Sequence, residues 1–141
     1  MPTIFPAQLV AVYMDHKSAR IMDGRTKADK HIYSKYESRL RVSGGSATGT
    51  QLGNYRSSKN EATEHHQEQH DTQAFYKSIA TAILPYDEIY LFGPTNAKDE
   101  FQNYLLRDQH FRSKIIRLES TDYITSNQQE AQVREHFRSR I

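Results

Sequence analysis

The chain has 141 residues, no cysteine, 36% apolar residues and a mean hydropathy of −0.83. This composition implies one modest core under a large polar surface, and it excludes disulfide frameworks, thiol nucleophiles and thiolate metal sites. The net charge is only +2, but residues 1–60 carry ten Lys/Arg against four Asp/Glu, residues 61–100 two against eight, and residues 101–141 seven against five. A basic N-terminal portion of this kind suits contact with phosphate and equally suits a plain solvated face. No N-terminal apolar run has the form of a signal peptide and none is long enough to span a bilayer, so a cytoplasmic location and no membrane partner are expected.

In chain order, Gln8–Met14 is a short apolar run rich in strand formers and reads as a central strand. Ala19–Asp23 follows after a tight connection and closes at Gly24. His31–Tyr36 alternates polar and apolar residues, and Leu40 and Val42 extend that pattern. Three strands with short joints form an antiparallel meander. The stretch Ser43-Gly44-Gly45-Ser46-Ala47-Thr48-Gly49-Thr50 has no large apolar side chain to anchor it, and the Gly/Ser/Thr segment 43–59 is expected to be a flexible loop.

A helix is predicted from Asn60 to Leu84. Phe75, Ile79 and Ile83, with Ala80 and Leu84, give its second half an apolar face, whereas residues 60–71 hold only Ala62 and should project from the body. Pro85 ends the helix. Glu88–Phe92 reads as a buried strand. Thr95 is the expected N-cap of a helix reaching Asp108, with Phe101, Tyr104 and Leu105 inward. Lys114–Leu118 is a further strand, and Ser126 is the expected cap of a last helix carrying Ala131, Val133 and Phe137. The expected class is therefore α/β: a mixed five-stranded sheet in the ribonuclease H-like element order β-β-β-α-β-α-β-α, in one domain spanning 1–141.

Four segments carry a family resemblance. The first strand runs into Asp15-His16-Lys17-Ser18-Ala19-Arg20. The glycine loop lies between the third strand and the first helix. Leu91-Phe92-Gly93-Pro94 leads to Lys98-Asp99-Glu100-Phe101 and Tyr104-Leu105. Asp122-Tyr123-Ile124-Thr125-Ser126-Asn127 opens the last helix, which runs to Phe137. In these segments, and over nearly its whole length, the chain resembles the middle domain of the archaeo-eukaryotic peptide-chain release factors and of Pelota. It is similar above all to small bacterial proteins built from that domain alone. The resemblance implies a ribosome- or RNA-associated translation factor, in a stress or ribosome-inactivation role, with rRNA or tRNA as partner. Release factors carry Gly-Gly-Gln in this loop and use it to cleave peptidyl-tRNA. Here Ser46 follows Gly44-Gly45, and Gln51 is the next glutamine, so no peptidyl-tRNA hydrolysis is expected. Pelota-type proteins lack the tripeptide and still bind ribosomes.

The residues expected to meet RNA are Lys35, Arg39, Arg41, Gly44, Gly45, Ser46, Gln51 and Arg56, with Tyr33 and Tyr36 interleaved among the cations as bases could require. Half-buried strands also favour tyrosine without any ligand. The alternative to a binding role is a metal-dependent nuclease. Asp15 stands where ribonuclease H-like nucleases keep a carboxylate, with Asp122 as the best-placed second ligand of Mg2+ and Glu37 and Asp87 as further acids. Against that, Asp15 suits a turn cap. A third reading is a protein-interaction module using the acidic stretch 60–71. His66 and His70 share a helix face, but the zincin pattern is missing, so no metal and no cofactor are expected. Gly93-Pro94-Thr95 with Lys98 could hold an anion, although an ordinary turn with a cap explains it as well.

Overall fold

The computed structural model describes residues 6–35 and 58–140, the long helix up to residue 68 by its backbone alone. Five strands form one sheet: β1 (Leu9–Met14), β2 (Ser18–Asp23), β3 (Asp29–Tyr33), β4 (Glu88–Gly93) and β5 (Ile115–Ser120). Three helices accompany them: α1 (Ser58–Ile83), α2 (Ala97–Leu106) and α3 (Ser126–Phe137). The spatial order is β3-β2-β1-β4-β5. The first three strands pair antiparallel, while β4 joins β1, and β5 joins β4, in parallel. The architecture is thus a mixed five-stranded sheet of α/β class.

Strand alternation divides the core between two faces. Val10, Val12 and Met14 of β1 and Ile89 and Leu91 of β4 meet Phe75, Tyr76, Ile79 and Ile83 of α1 and Phe101 and Leu105 of α2. Leu9 and Ala11 of β1, Met22 of β2, and Tyr90 and Phe92 of β4 meet Val133 and Phe137 of α3 on the other face. Strands covered on both faces read as continuous apolar runs, which is why β1 and β4 stand out in the sequence. Two glycines are required by close approach. A Cβ at Gly93 would collide with the carbonyl oxygen of Met14, and one at Gly24 would lie 2.6 Å from Leu9 Cβ.

Several boundaries depart from expectation. β3 begins at Asp29 and ends at Tyr33, and Tyr36, Leu40 and Val42 lie outside the described residues. Leu84 is not inward; it is 42% exposed, because the helix has ended at Ile83. Residues 60–71 were expected to project throughout, yet Asp71 is buried. The cap of α2 is Asn96, which makes no side-chain bond, while Thr95 Oγ1 accepts from Ala97 N–H at 3.2 Å. That helix stops at Leu106, and a single 3-10 turn, Gln109–Phe111, inserts Phe111 into the core. α3 is capped by Thr125 rather than Ser126. Thr125 Oγ1 accepts from Gln128 N–H and the Gln128 side chain accepts from Thr125 N–H, a reciprocal box, whereas Ser126 Oγ and Gln129 Oε1, which have the same spacing, accept from Arg20.

Candidate nucleic-acid interface

Lys30 stands exposed on β3, the edge strand of the sheet, and Lys35 just beyond it. β3 alternates, so Asp29, His31 and Tyr33 face the α3 side and Lys30 and Ile32 face α1. In α1, the buried positions Phe75, Ile79 and Ile83 fix the helix rotation and leave Lys77, Ser78 and Thr81 on its flank. Lys30, His31 and Ile32 then line an open groove of about 530 Å3 against Lys77, Ser78 and Thr81. The two hydroxyls donate back to helix carbonyls, Ser78 to Ala74 at 3.0 Å and Thr81 to Lys77 at 2.9 Å. The lysine ammonium groups of Lys30 and Lys77 have no ion-pair partner among the described residues. On the other face of β3, the His31 and Tyr33 rings stack with centroids 6.3 Å apart and 14° between planes, and Tyr33 is 46% exposed.

The acids of this region are committed elsewhere. Arg20, buried on β2, donates from Nε and Nη2 to Asp29 (2.6 Å at the shortest) and from Nη1 to Ser126 Oγ at 2.9 Å, the Ser126 carbonyl at 3.2 Å and Gln129 Oε1 at 3.1 Å. Its Nη2 also lies 3.4 Å from Glu130. One guanidinium thereby ties β2 and β3 to the start of α3. The hydrogen bond from Arg20 holds the Asp29 carboxyl below its ordinary range despite partial burial. Asp23 closes the β2–β3 turn, accepting from Arg25 N–H at 2.8 Å, Thr26 N–H at 3.0 Å and the Tyr86 hydroxyl at 2.9 Å. Burial works against its ionisation, but these bonds outweigh it and lower its pKa. Asp29 is paired with the Arg20 guanidinium, whereas Asp23, bonded to neutral donors, keeps its negative charge; Lys17, Lys27, Lys30, Lys35 and Lys77 outnumber it at this edge.

Of the residues singled out in the sequence, Lys35 is exposed just beyond β3. Ser34 N–H, next to it, donates to the Lys17 carbonyl at 2.9 Å, which brings those two lysines to one end of the sheet. Arg39, Arg41, Gly44, Gly45, Ser46, Gln51 and Arg56 lie outside the described residues, as do Glu37 and the side chains of His65 and His66. Asp15 and Asp122 follow the ends of β1 and β5, with β4 between those strands. Asp15 Oδ1 accepts from Lys17 N–H at 2.8 Å and Ser18 N–H at 2.9 Å, the geometry of a turn cap. Asp87 precedes β4, at the opposite end of the sheet, and accepts from Gln8 N–H at 2.7 Å. Among the described residues no three His, Asp or Glu side chains converge as metal ligands. Lys98 is unavailable to an anion: it is buried, with Nζ on the Thr95 carbonyl at 2.7 Å. Sequence reasoning missed Lys30 and Lys77 as partners and Arg20 as the tie. The exposed Lys77 between buried Tyr76 and Ile79 could have been read from helix periodicity, but its meeting with Lys30 could not.

No protein-family model matches the sequence, and no curated protein matches it. Among solved structures, the chain is similar to the Pelota protein of Thermoplasma acidophilum, with a TM-score of 0.50 and 19% sequence identity over 87% of this chain. At that identity the likeness shows the fold, which is that of a Pelota domain. The chain spans 30% of the length of that Pelota chain. No helix among the described residues is long and apolar enough to cross a membrane.

Proposed function

We propose, with the Pelota-like fold as premise, that this chain is a cytoplasmic, ribosome- or RNA-associated translation factor without peptidyl-tRNA hydrolase activity. In this reading the domain is a ribonuclease H-like module of the release-factor and Pelota middle-domain type, related to small bacterial proteins made of that domain. The observation that carries it is the cation-lined groove between β3 and α1, on a chain whose fold is shared with Pelota. Lysines on a strand edge and a helix flank contact phosphate oxygens and impose no sequence preference, while the stacked His31–Tyr33 pair, on the other face of the same edge strand, offers an aromatic surface to an unpaired base of a strand that passes over the edge. The resemblance adds the loop residues Gly44, Gly45, Ser46 and Gln51 to the proposed contact. Co-sedimentation with purified ribosomes at rising salt tests the reading. Binding that weakens linearly in the logarithm of salt concentration supports it. Absence of pelleting at low salt, with either ribosomes or structured RNA, refutes it.

A further inference from the structure

β5 forms the other edge of the sheet, and its outer side is open. Ile115 N–H donates to the Asp87 carbonyl at 3.1 Å and Thr121 N–H to the Gly93 carbonyl at 3.0 Å. The odd-numbered residues of β5 therefore turn their backbone groups toward β4. Alternation sends the N–H and C=O groups of Ile116, Leu118 and Ser120 outward, where no backbone group of the described residues bonds them. The strand has six residues and no proline, so it lacks one common device that keeps sheet edges from pairing. Its exposed face carries one charge of each sign two residues apart. Glu119 is held in place by the Tyr90 hydroxyl at 2.9 Å and Gln132 Nε2 at 3.3 Å. Arg117 is exposed and has no ion-pair partner among the described residues.

We propose that β5 pairs antiparallel with β5 of a second copy of this chain, with the two-fold axis at Leu118. The parity of the outward groups allows the axis only on a residue. An axis at Arg117 sets two arginines against each other, and one at Glu119 sets two glutamates. An axis at Ile116 or Ser120 leaves both charges opposite uncharged residues. The axis at Leu118 alone places Arg117 opposite Glu119 of the partner subunit, twice by symmetry. These are the closely spaced, non-hydrogen-bonded positions of an antiparallel ladder, where unlike charges stabilise pairing and like charges oppose it. In the same register Leu118 meets its own copy, and Ile115, 43% exposed in the single chain, is covered by Thr121 of the partner subunit. The product is one continuous sheet through both copies. It leaves the β3 edge free, so it stands or falls separately from the RNA-binding reading.

Sedimentation equilibrium of the full chain over a wide concentration range tests the pairing. The wild type forms a reversible dimer. Arg117→Glu replaces both attractive pairs with repulsive ones and raises the dimer Kd by about tenfold or more, and adding Glu119→Arg in the same chain returns Kd toward the wild-type value. Ser120→Pro is the control on the backbone. The N–H it removes points outward and takes no part in the β4 ladder, so circular dichroism, and the thermal midpoint at concentrations where the wild type is monomeric, stay at wild-type values while the dimer is lost at higher concentration. A wild type that is monomeric throughout, or a dimer that survives both Arg117→Glu and Ser120→Pro, overturns the proposal.

Discussion

Arg20 and Asp29 are diagonal neighbours across β2 and β3, joined by Nε at 3.0 Å to each carboxylate oxygen and by Nη2 at 2.6 Å to Oδ2. The Arg20 side chain is 10% exposed and that of Asp29 33%. Asp29→Ala leaves a buried guanidinium with Glu130 as its remaining acid, and a loss of about 2–4 kcal/mol is expected. The sign of the pH dependence follows from the lowered Asp29 pKa. The pair contributes its full stability above the ordinary carboxyl value of 3.8 and loses it as pH falls below that value. Urea unfolding of wild type and Asp29→Ala at neutral pH and at pH about 3 should show the gap between them closing in acid.

At the sheet centre, Gly93→Ala pushes a methyl group against the Met14 carbonyl, backbone against backbone, where β4 passes β1. The register has no slack there, since Tyr13 and Phe92 are already paired. A destabilisation of about 2–3 kcal/mol is expected, with a matching fall in urea midpoint.

The basic edge makes a quantitative prediction for RNA. Replacing Lys30, Lys35 and Lys77 together with Ala should lower the slope of log affinity against log salt by roughly one unit per lysine that contacts phosphate. Thermal stability should hardly change, because all three ammonium groups stand in solvent. Ribosome or structured-RNA binding with an unaltered slope would remove this edge from the interface.

Tyr90 links the α3 face to β5. Its hydroxyl donates to Glu119 and accepts from Gln132 at 2.9 Å, and its ring stacks on His136 with centroids 3.7 Å apart. Burial, with Glu119 adding to it against the opposing Gln132 bond, pushes the phenol up to about 12. A proton held more tightly in the folded state means that stability declines as pH rises from the ordinary 10 toward 12. Tyr90→Phe should cost about 1 kcal/mol at neutral pH and weaken that alkaline decline, as alkaline denaturation of the two proteins would reveal.

For the loop, the departure from Gly-Gly-Gln predicts that wild type leaves peptidyl-tRNA intact on ribosomes. Ser46→Gln asks whether the remaining site is competent. Appreciable release by the wild type would make Ser46 or Gln51 a catalytic candidate.

The nuclease alternative turns on Asp15. As a turn cap it tolerates Asn, whose side-chain oxygen accepts the same bonds from Lys17 and Ser18. Asp15→Asn should therefore change stability by less than about 1 kcal/mol. Mg2+-dependent cleavage of RNA by wild type that disappears in Asp15→Asn would instead establish a catalytic carboxylate.

The sequence by itself determined the elements whose signal is local. β1 and β4 show as apolar runs because both faces are covered, α1 shows from Phe75-Ile79-Ile83, and the order of strands and helices follows from them. It also determined that the Gly-Gly-Gln tripeptide is missing. Caps and ends were less legible, because Thr125–Gln128 and Ser126–Gln129 have the same spacing, and in the structure Thr125 and Gln128 form the box while Ser126 and Gln129 bind Arg20. The tertiary structure alone decided what depends on distant segments meeting. The insertion of β4 beside β1 rather than beside β3 puts β3 and β5 at the two edges. Arg20 acquires its partners only when α3 docks on β2, and Lys77 reaches Lys30 only once α1 has packed along the sheet. Periodicity reports which side of an element is buried; it carries no information about which other element buries it, and that choice assembled both the basic groove and the open edge at Leu118.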